Sequence, residues 1–224
     1  MMVLINSNDE INKVLYLNDK EDTYLNINKI SNDLIKYGND NFNELFDLHP
    51  NDLGIITKDS KDIISNRYHK SYLFTPKYDN NIFKSYNYMY GGINDNVNEP
   101  LPKLFQPYLD YINKIEPNYY NQVIINWFND GTHHIPYHSD CIKFMDKDKK
   151  ISIITIGESN RIFSIKSKNI DSLKLKKIKL DIICNNGCLL TMNENFQNEY
   201  WHSIPKMKNC KKPRISISFR RIIL

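Results

Sequence analysis

The sequence predicts a mainly β fold with flanking helices (α+β), in which short strands build a sandwich or barrel of the jelly-roll kind. The first observation behind this prediction is a series of short apolar runs between residues 122 and 219, separated by turn sequences such as NDGT, GESN and CNNG. Many short strands at regular spacing are typical of antiparallel sandwiches and barrels. The second observation is that two earlier segments repeat apolar residues every three or four positions, which indicates helices.

The individual elements can be placed on the chain. The two predicted helices are ISNDLIKYGNDNFNELF and PLPKLFQPYLDYINKI, and the second begins after a proline, which suits the first turn of a helix. Alternating tyrosines before a glycine pair predict a strand and a turn in FKSYNYMYGGI. The strands predicted after the second helix are QVIINWF, HIPYH, KISIITI, RIFSIKS, LKLKKIKL, GCLLTM, YWHSIP and RISISF.

The length of the chain bounds its domain organisation. With 224 residues, 41% of them hydrophobic, it can bury the core of one globular domain. The first part of the chain is rich in Asn and Asp and carries no chemical motif. We therefore predict an N-terminal helical extension over residues 1–70, packed on a core domain that covers residues 71–224.

Composition also restricts the cellular setting. The net charge of +4 is compatible with a polyanionic partner but too small to identify one. The four cysteines form no CxxC pair, so free thiols in a reducing compartment are expected. Neither a signal peptide nor a membrane-spanning segment is visible. We expect a soluble, intracellular protein of the cytoplasm or nucleus that acts as a monomer and binds no membrane.

A candidate metal site begins in the segment HSDCIKF. Residues two apart on a strand point to the same face, so His138 and Asp140 can bind one ion together. His202, in YWHSIP, lies on a later strand that an antiparallel sheet could bring alongside. Two histidines and one carboxylate leave the other positions of a ferrous ion open, as in non-haem iron oxygenases.

The segment PRISISFRR predicts a second part of the site. Arg214 and Arg220 share one face of a strand, and fixed guanidinium groups can hold the carboxylates of a co-substrate such as 2-oxoglutarate. The alternative is an ordinary half-buried strand whose polar face lies in water.

Several motifs together resemble one family. NWFNDGTHHIPYHSD, ISIITIGESNRIFSI, GCLLTM, YWHSIPK and PRISISFR look like the catalytic core of the AlkB-like Fe(II)- and 2-oxoglutarate-dependent dioxygenases, from about Pro76 to the C-terminus. With YMYGG before the core and FRRI at the end, the pattern is most similar to that of the nucleic-acid demethylases. The resemblance implies a double-stranded β-helix (jelly-roll, cupin-like) core. It also implies Fe(II) and 2-oxoglutarate as cofactors and molecular oxygen as a reactant.

The resemblance assigns roles to individual residues. It implies that the iron ligands, which are also the catalytic residues, are His138, Asp140 and His202. Arg214 would pair with the distal carboxylate of 2-oxoglutarate, and Arg220 would lie beside the carboxylate that chelates the iron. Asn126 would also contact the co-substrate. Phe128 stands where the family has a tyrosine, so one hydrogen bond to the co-substrate is lost, worth roughly 0.5–1.5 kcal/mol.

The implied activity is oxidative demethylation of N-alkylated bases in DNA or RNA, a repair reaction that releases formaldehyde and succinate. A base that leaves the stack needs a pocket with aromatic or apolar walls. The candidate substrate-binding residues are Tyr86, Tyr88, Tyr90, Trp127, His134 and Tyr137. Three basic stretches could follow the phosphate backbone or could form only a solvated lysine surface: KFMDKDKK, KSKNIDSLKLKKIK and PKMKNCKKPR.

One position leaves the substrate open. Ile142 stands where the base-repairing members carry an acidic residue that accepts a hydrogen bond from the exocyclic amine of the base. Two alternatives therefore remain: the same chemistry on a protein side chain or small molecule, and a catalytically silent binding module. Cys141, between Ile142 and the metal motif, is interpreted as a small packing residue near the site.

Overall fold

The computed structural model describes residues 2–9, 12–58, 61–73, 100–116, 120–142, 144–146, 150–168 and 178–223. The strands among them are β1 (Met2–Asn6), β2 (Lys13–Tyr16), β3 (Tyr24–Lys29), β4 (Ile55–Lys58), β5 (Lys61–Ile64), β6 (Tyr68–Leu73), β7 (Gln122–Phe128), β8 (Ile135–His138), β9 (Ile151–Ile156), β10 (Arg161–Ser167), β11 (Lys179–Cys184), β12 (Cys188–Met192), β13 (Tyr200–Ile204) and β14 (Arg214–Arg220). The helices are α1 (Asn32–Asp40), α2 (Phe42–Asp47), α3 (Gln106–Ile115) and α4 (Phe196–Glu199).

Two sheets form a sandwich. The smaller sheet has five strands in the order β1-β11-β10-β13-β8, and the larger has seven in the order β2-β3-β12-β9-β14-β7-β6. One core cluster joins the inner faces of the two sheets, with Leu25 and Ile151 from the larger sheet and Ile165 and Ile182 from the smaller one. The predicted mainly β fold with a jelly-roll core and flanking helices is confirmed.

Helices cover the other face of the larger sheet. Its central strands β7, β9 and β14 are buried on both faces. A second core cluster packs Ile125, Ile154 and Ile217 from these strands against Tyr108 and Ile112 of α3. The three central strands therefore place one row of side chains under the helices and the alternate row inside the sandwich.

The helix predictions agree with the structure. α1 and α2 lie in the first predicted helical segment and α3 in the second. Ser31 caps α1 by accepting a hydrogen bond from the Leu34 amide, a typical N-cap contact. No helix in the described part of the chain is long and apolar enough to cross a membrane.

The prediction of a helical extension over residues 1–70 is wrong for most of that range. β1 pairs in parallel with β11, and β3 pairs with β12, so the N-terminal strands widen both sheets. In β3, Leu25 and Ile27 point into the core between the sheets, while Asn26 and Asn28 alternate with them on the opposite face. The frequent asparagines masked this period-two pattern. β6 also crosses the predicted boundary between residues 70 and 71 and pairs with β7.

Two strand predictions can be compared with the structure only in part or not at all. β11 begins at Lys179, so it covers just the end of the predicted strand LKLKKIKL, most of which lies outside the described residues. The strand and turn predicted in FKSYNYMYGGI also lie outside them.

Replacing Trp127 with Phe should destabilise the fold. Trp127 is fully buried and its indole Nε1 donates a hydrogen bond to the Leu45 carbonyl oxygen at 2.9 Å. The variant loses that bond and leaves a cavity, so we expect the free energy of unfolding to fall by about 2–4 kcal/mol in urea denaturation followed by circular dichroism. The control is Trp201→Phe at a position that is 37% exposed. Equal losses in the two variants would contradict the assignment of Trp127 to the core.

Candidate metal centre

The pairing of β8 with β13 brings two histidines together. His138, the last residue of β8, is the register partner of His202 on β13. Their ring centroids are 4.3 Å apart. Asp140 follows β8. Its Oδ1 lies 3.7 Å from His138 Nε2, and its Oδ2 lies 3.6 Å from His202 Nε2. One ligand atom from each of the three residues lies within 4.8 Å of the others, so the predicted triad is assembled.

Surrounding groups orient the three side chains. Nδ1 of His138 lies 2.9 Å from the Pro136 carbonyl oxygen, which accepts its proton and leaves the Nε2 lone pair for a metal. The His202 ring stacks on Phe163, with a centroid distance of 5.3 Å and an interplanar angle of 18°. The Asp140 amide donates a hydrogen bond to Gln197 Oε1 at 2.8 Å. The triad is thus held in place by the protein itself.

The protonation states suit metal binding. Burial would raise the pKa of Asp140, but the Arg220 guanidinium and the two neighbouring imidazoles hold it well below its ordinary value. Burial, with help from His138, lowers the pKa of His202 to about 3. At neutral pH, Asp140 is therefore an anion and His202 a neutral imidazole, the forms in which both groups bind metal.

The arginine face of β14 lines the same pocket as the triad. Arg220 Nη2 donates to Asp140 Oδ1 at 2.6 Å, so this guanidinium lies directly beside the metal ligands. Arg214 Nη2 donates to Thr155 Oγ1 at 2.8 Å. Both arginines are almost completely buried, as are Ser216 and Ser218 between them. The alternative interpretation of β14 as a strand with a solvated polar face is therefore wrong.

The donor atoms in this pocket fit an anionic co-substrate. Nε and Nη1 of Arg214 are buried and have no hydrogen-bond partner within the described residues. Asn126, on β7, lines the same pocket and is the register partner of Ser216. A buried guanidinium without an anion is unfavourable, because desolvation is not offset by pairing. A dicarboxylate reaching from the metal towards Arg214 would supply that anion.

Phe128 packs near two guanidinium groups. Its ring centroid is 5.4 Å from Arg214 Cζ and 5.6 Å from Arg161 Cζ. Arg161 donates to three backbone carbonyl oxygens, among them those of Asp130 and Pro205. The aromatic side chain in place of the family's tyrosine therefore offers its ring to both guanidinium groups and has no hydroxyl to donate.

Two of the predicted substrate contacts are wrong. Trp127 is the neighbour of Asn126 on β7, so its side chain points to the opposite face and packs under the helices. Tyr137 points to the outer face of the smaller sheet, where its hydroxyl contacts Ser164 Oγ at 2.6 Å and Lys166 Nζ lies 4.2 Å from its ring. Both errors arise because a residue next to a site residue on a strand faces away from the site.

The remaining candidates have other positions. Tyr86, Tyr88 and Tyr90 lie outside the described residues. The His134 amide donates to the Asn66 carbonyl oxygen, and its Nδ1 contacts the Thr132 carbonyl oxygen at 3.2 Å. These contacts hold His134 in the loop before β8, outside the lining of the metal pocket.

The two residues after the metal motif behave differently. Cys141 is exposed, so its interpretation as a packing residue is wrong. Ile142 is half-buried and packs against the core cluster between the sheets.

Arg67 is a site residue that sequence reasoning missed. It precedes β6 and its Nε donates a hydrogen bond to Asn126 Oδ1 at 2.8 Å. No motif surrounds it in NRYHKSY, and only the pairing of β6 with β7 brings it to Asn126, which lines the pocket.

The sandwich fold and this pocket together define a class of enzyme, the Fe(II)- and 2-oxoglutarate-dependent oxygenases. The model of the 2OG-Fe(II) oxygenase superfamily matches residues 48–220, most of the chain, and the chain belongs to that family. The predicted family and its cofactors, Fe(II) and 2-oxoglutarate, are confirmed.

Individual relatives match a shorter region. Human "DNA oxidative demethylase ALKBH2" is 28% identical over 131 residues, which cover 55% of this chain and 49% of the relative. Bovine "Alpha-ketoglutarate-dependent dioxygenase alkB homolog 3" is 26% identical over 132 residues, covering 55% of this chain and 45% of the relative. The chain therefore spans about half the length of the curated relatives it matches.

The buried His69 should make stability depend on pH. Burial, followed by the charge of Arg67, lowers the pKa of His69 to about 4. The unfolded chain takes up this proton near pH 6.5 and the folded chain does not, so stability falls as the pH drops from 6.5 to 4, by at most about 1.4 kcal/mol per unit. Urea denaturation of the metal-free protein at several pH values should show a shallower slope for His69→Gln than for the wild type. Identical slopes would contradict the burial of a neutral imidazole.

Proposed function

We propose that the protein is an oxidative demethylase that removes N-alkyl groups from bases in DNA or RNA. The observation that carries the proposal is the shared pocket, in which the His138–Asp140–His202 triad lies next to two buried arginines. The names of the relatives supply the substrate class, since one is called a DNA oxidative demethylase. Repair of alkylated nucleic acid is the corresponding cellular role.

In this proposal the triad holds Fe(II). His138 and His202 would hold the ion through Nε2 and Asp140 through a carboxylate oxygen, a ligand set that allows a co-substrate and molecular oxygen to bind as well. With both present, the iron supplies the oxidation of an N-methyl group to N-hydroxymethyl, which breaks down to formaldehyde and the free base. Arg220, bonded to Asp140, keeps that carboxylate in the site and ionised.

The co-substrate would be held by the β14 residues that line the pocket. Arg214 would hold the distal carboxylate of 2-oxoglutarate through Nε and Nη1, which have no hydrogen-bond partner among the described residues, while Nη2 is anchored on Thr155. Charge-assisted bonds of this kind are stronger than neutral ones and fix the ligand geometrically. Asn126, on β7, would contact the same ligand.

The walls of the pocket exclude water from the reacting atoms. The apolar lining residues are Ile135, Ile153, Phe163, Leu190 and Ile204. Only His138 of the triad is partly open, with its side chain 33% exposed, whereas Asp140 and His202 are buried. The alkyl group to be oxidised therefore reaches the metal from the His138 side.

Surface charge supports a polyanionic substrate. The third basic stretch predicted from the sequence forms a described loop between β13 and β14, and its lysines Lys206, Lys208, Lys211 and Lys212 are exposed. Ile142, which offers no acceptor to an exocyclic amine, favours the second candidate, a protein side chain or small molecule as the substrate. The two candidates share the iron chemistry and differ in the molecule that carries the alkyl group.

A substrate panel tests the proposal. Protein supplied with Fe(II), 2-oxoglutarate and ascorbate is incubated with oligonucleotides that carry 1-methyladenine or 3-methylcytosine, and separately with methylated peptides. We expect formaldehyde and succinate in equal amounts from the oligonucleotides. Formaldehyde from the peptides alone would assign the second candidate. Succinate at background with every substrate would support the catalytically silent module. Asp140→Ala, which removes a metal ligand, is the negative control.

Arg214→Ala should abolish turnover of 2-oxoglutarate at ordinary concentrations. Loss of the charge-assisted hydrogen bonds costs about 2–4 kcal/mol, equivalent to a 30- to 1000-fold rise in KM for the co-substrate, measured by succinate formation. Arg221→Ala is the matched control, because Arg221 pairs with Asp146 outside the pocket. Turnover of the Arg214 variant at the wild-type KM would refute the assignment of β14.

A further inference from the structure

We propose that Arg67 is a positioning residue that sets the orientation of the Asn126 amide, so that its NH2 group donates to 2-oxoglutarate. The inference rests on the proposed binding of 2-oxoglutarate in the β14 pocket. It adds Arg67, which directly precedes β6, to the residues that act on this binding. It does not depend on what the prime substrate is.

Arg67 is itself rigidly held. Arg67 is only 5% exposed, and its Nη1 donates a hydrogen bond to Ser65 Oγ at 3.3 Å. The Ser65 hydroxyl donates to the Arg67 carbonyl oxygen at 2.8 Å, which closes a short turn around the arginine. The register of β6 with β7 then places His69 opposite Asn126 and brings the Arg67 guanidinium to the amide.

The contact between Arg67 and Asn126 admits one amide orientation. A guanidinium has donors and no acceptor, so it can face only the oxygen of the amide. Arg67 Nε bonds to Asn126 Oδ1 at 2.8 Å, and the Nδ2 group is therefore turned the other way. Nδ2 makes no hydrogen bond within the described part of the chain, and Asn126 lines the pocket beside Arg214. The amide thus holds a free donor where a carboxylate would lie.

Without Arg67 the amide would lose this preference. The two ends of an Asn side chain are nearly the same size, so rotation by 180° changes the packing little and exchanges a donor for an acceptor. The wrong orientation would present an oxygen lone pair to a carboxylate oxygen. Arg67 therefore contributes to co-substrate affinity through Asn126, without touching the co-substrate.

A double-mutant cycle tests this coupling. Binding of 2-oxoglutarate to the Mn(II)-loaded protein is measured by isothermal titration calorimetry under anaerobic conditions. We expect Arg67→Ala and Asn126→Ala each to weaken binding about 5- to 10-fold, and the double variant to bind like Asn126→Ala alone. Mn(II) affinity without 2-oxoglutarate should stay unchanged in all three. The proposal would be overturned if Arg67→Ala weakened 2-oxoglutarate binding equally in the wild type and in the Asn126→Ala variant, or if it weakened binding in neither.

Two further variants cover a failure of Arg67→Ala to fold. Asn126→Asp keeps an oxygen for Arg67 but replaces the donor with a second oxygen, so binding should weaken more than 10-fold; wild-type affinity would contradict the donor role. Arg67→Lys keeps the charge but lacks the planar fork, so we expect it to lose affinity as Arg67→Ala does. Full affinity in Arg67→Lys would overturn the role of the guanidinium in orienting the amide.

The design separates this inference from the proposed function. Calorimetry uses no nucleic acid, so a failure to demethylate oligonucleotides leaves the result on Arg67 intact. Failure of the wild type to bind 2-oxoglutarate would refute the role of the pocket, and the role of Arg67 with it.

Discussion

The carboxylate of Asp140 is the group on which the organisation of the pocket depends. A buried anion is costly unless cations and donors surround it, and here Arg220 supplies an ion pair at 2.6 Å. The same carboxylate lies within 4 Å of both imidazoles. Side chains from β8, β13 and β14 therefore all contact Asp140. Because these elements come from both sheets, the metal centre also ties the two halves of the sandwich together.

Burial of the central strands of the larger sheet makes the co-substrate pocket possible. On β14, apolar residues face the helices, and the alternate positions face the interior of the sandwich. Two arginines on that inner face would be unfavourable in a purely structural core. Nε and Nη1 of Arg214, which have no hydrogen-bond partner among the described residues, are explained by an anionic ligand, for which the two arginines provide a cationic wall.

Access to the metal follows from the order of strands. β8 is an edge strand of the smaller sheet, whereas β13 lies one position inside it. His138 is consequently partly open, and His202 is enclosed by Phe163 and Phe196. The triad thus has one open side at the sheet edge and a closed side in the core, which suits a reaction that admits a substrate and excludes water.

Strand alternation in the sequence determined the mainly β fold, the two helical regions, the shared face of His138 and Asp140 and the arginine face of β14, because these depend on local periodicity and on residue types. The assignment of His202 as the third ligand came from the resemblance to the AlkB-like family. Tertiary structure alone decided the rest. Pairing of β1 and β3 with distant strands turned a predicted helical extension into parts of both sheets, and pairing of β6 with β7 brought Arg67 to Asn126. It also separated Trp127 and Tyr137 from the pocket, since the face that a strand residue occupies is set only when the strand packs.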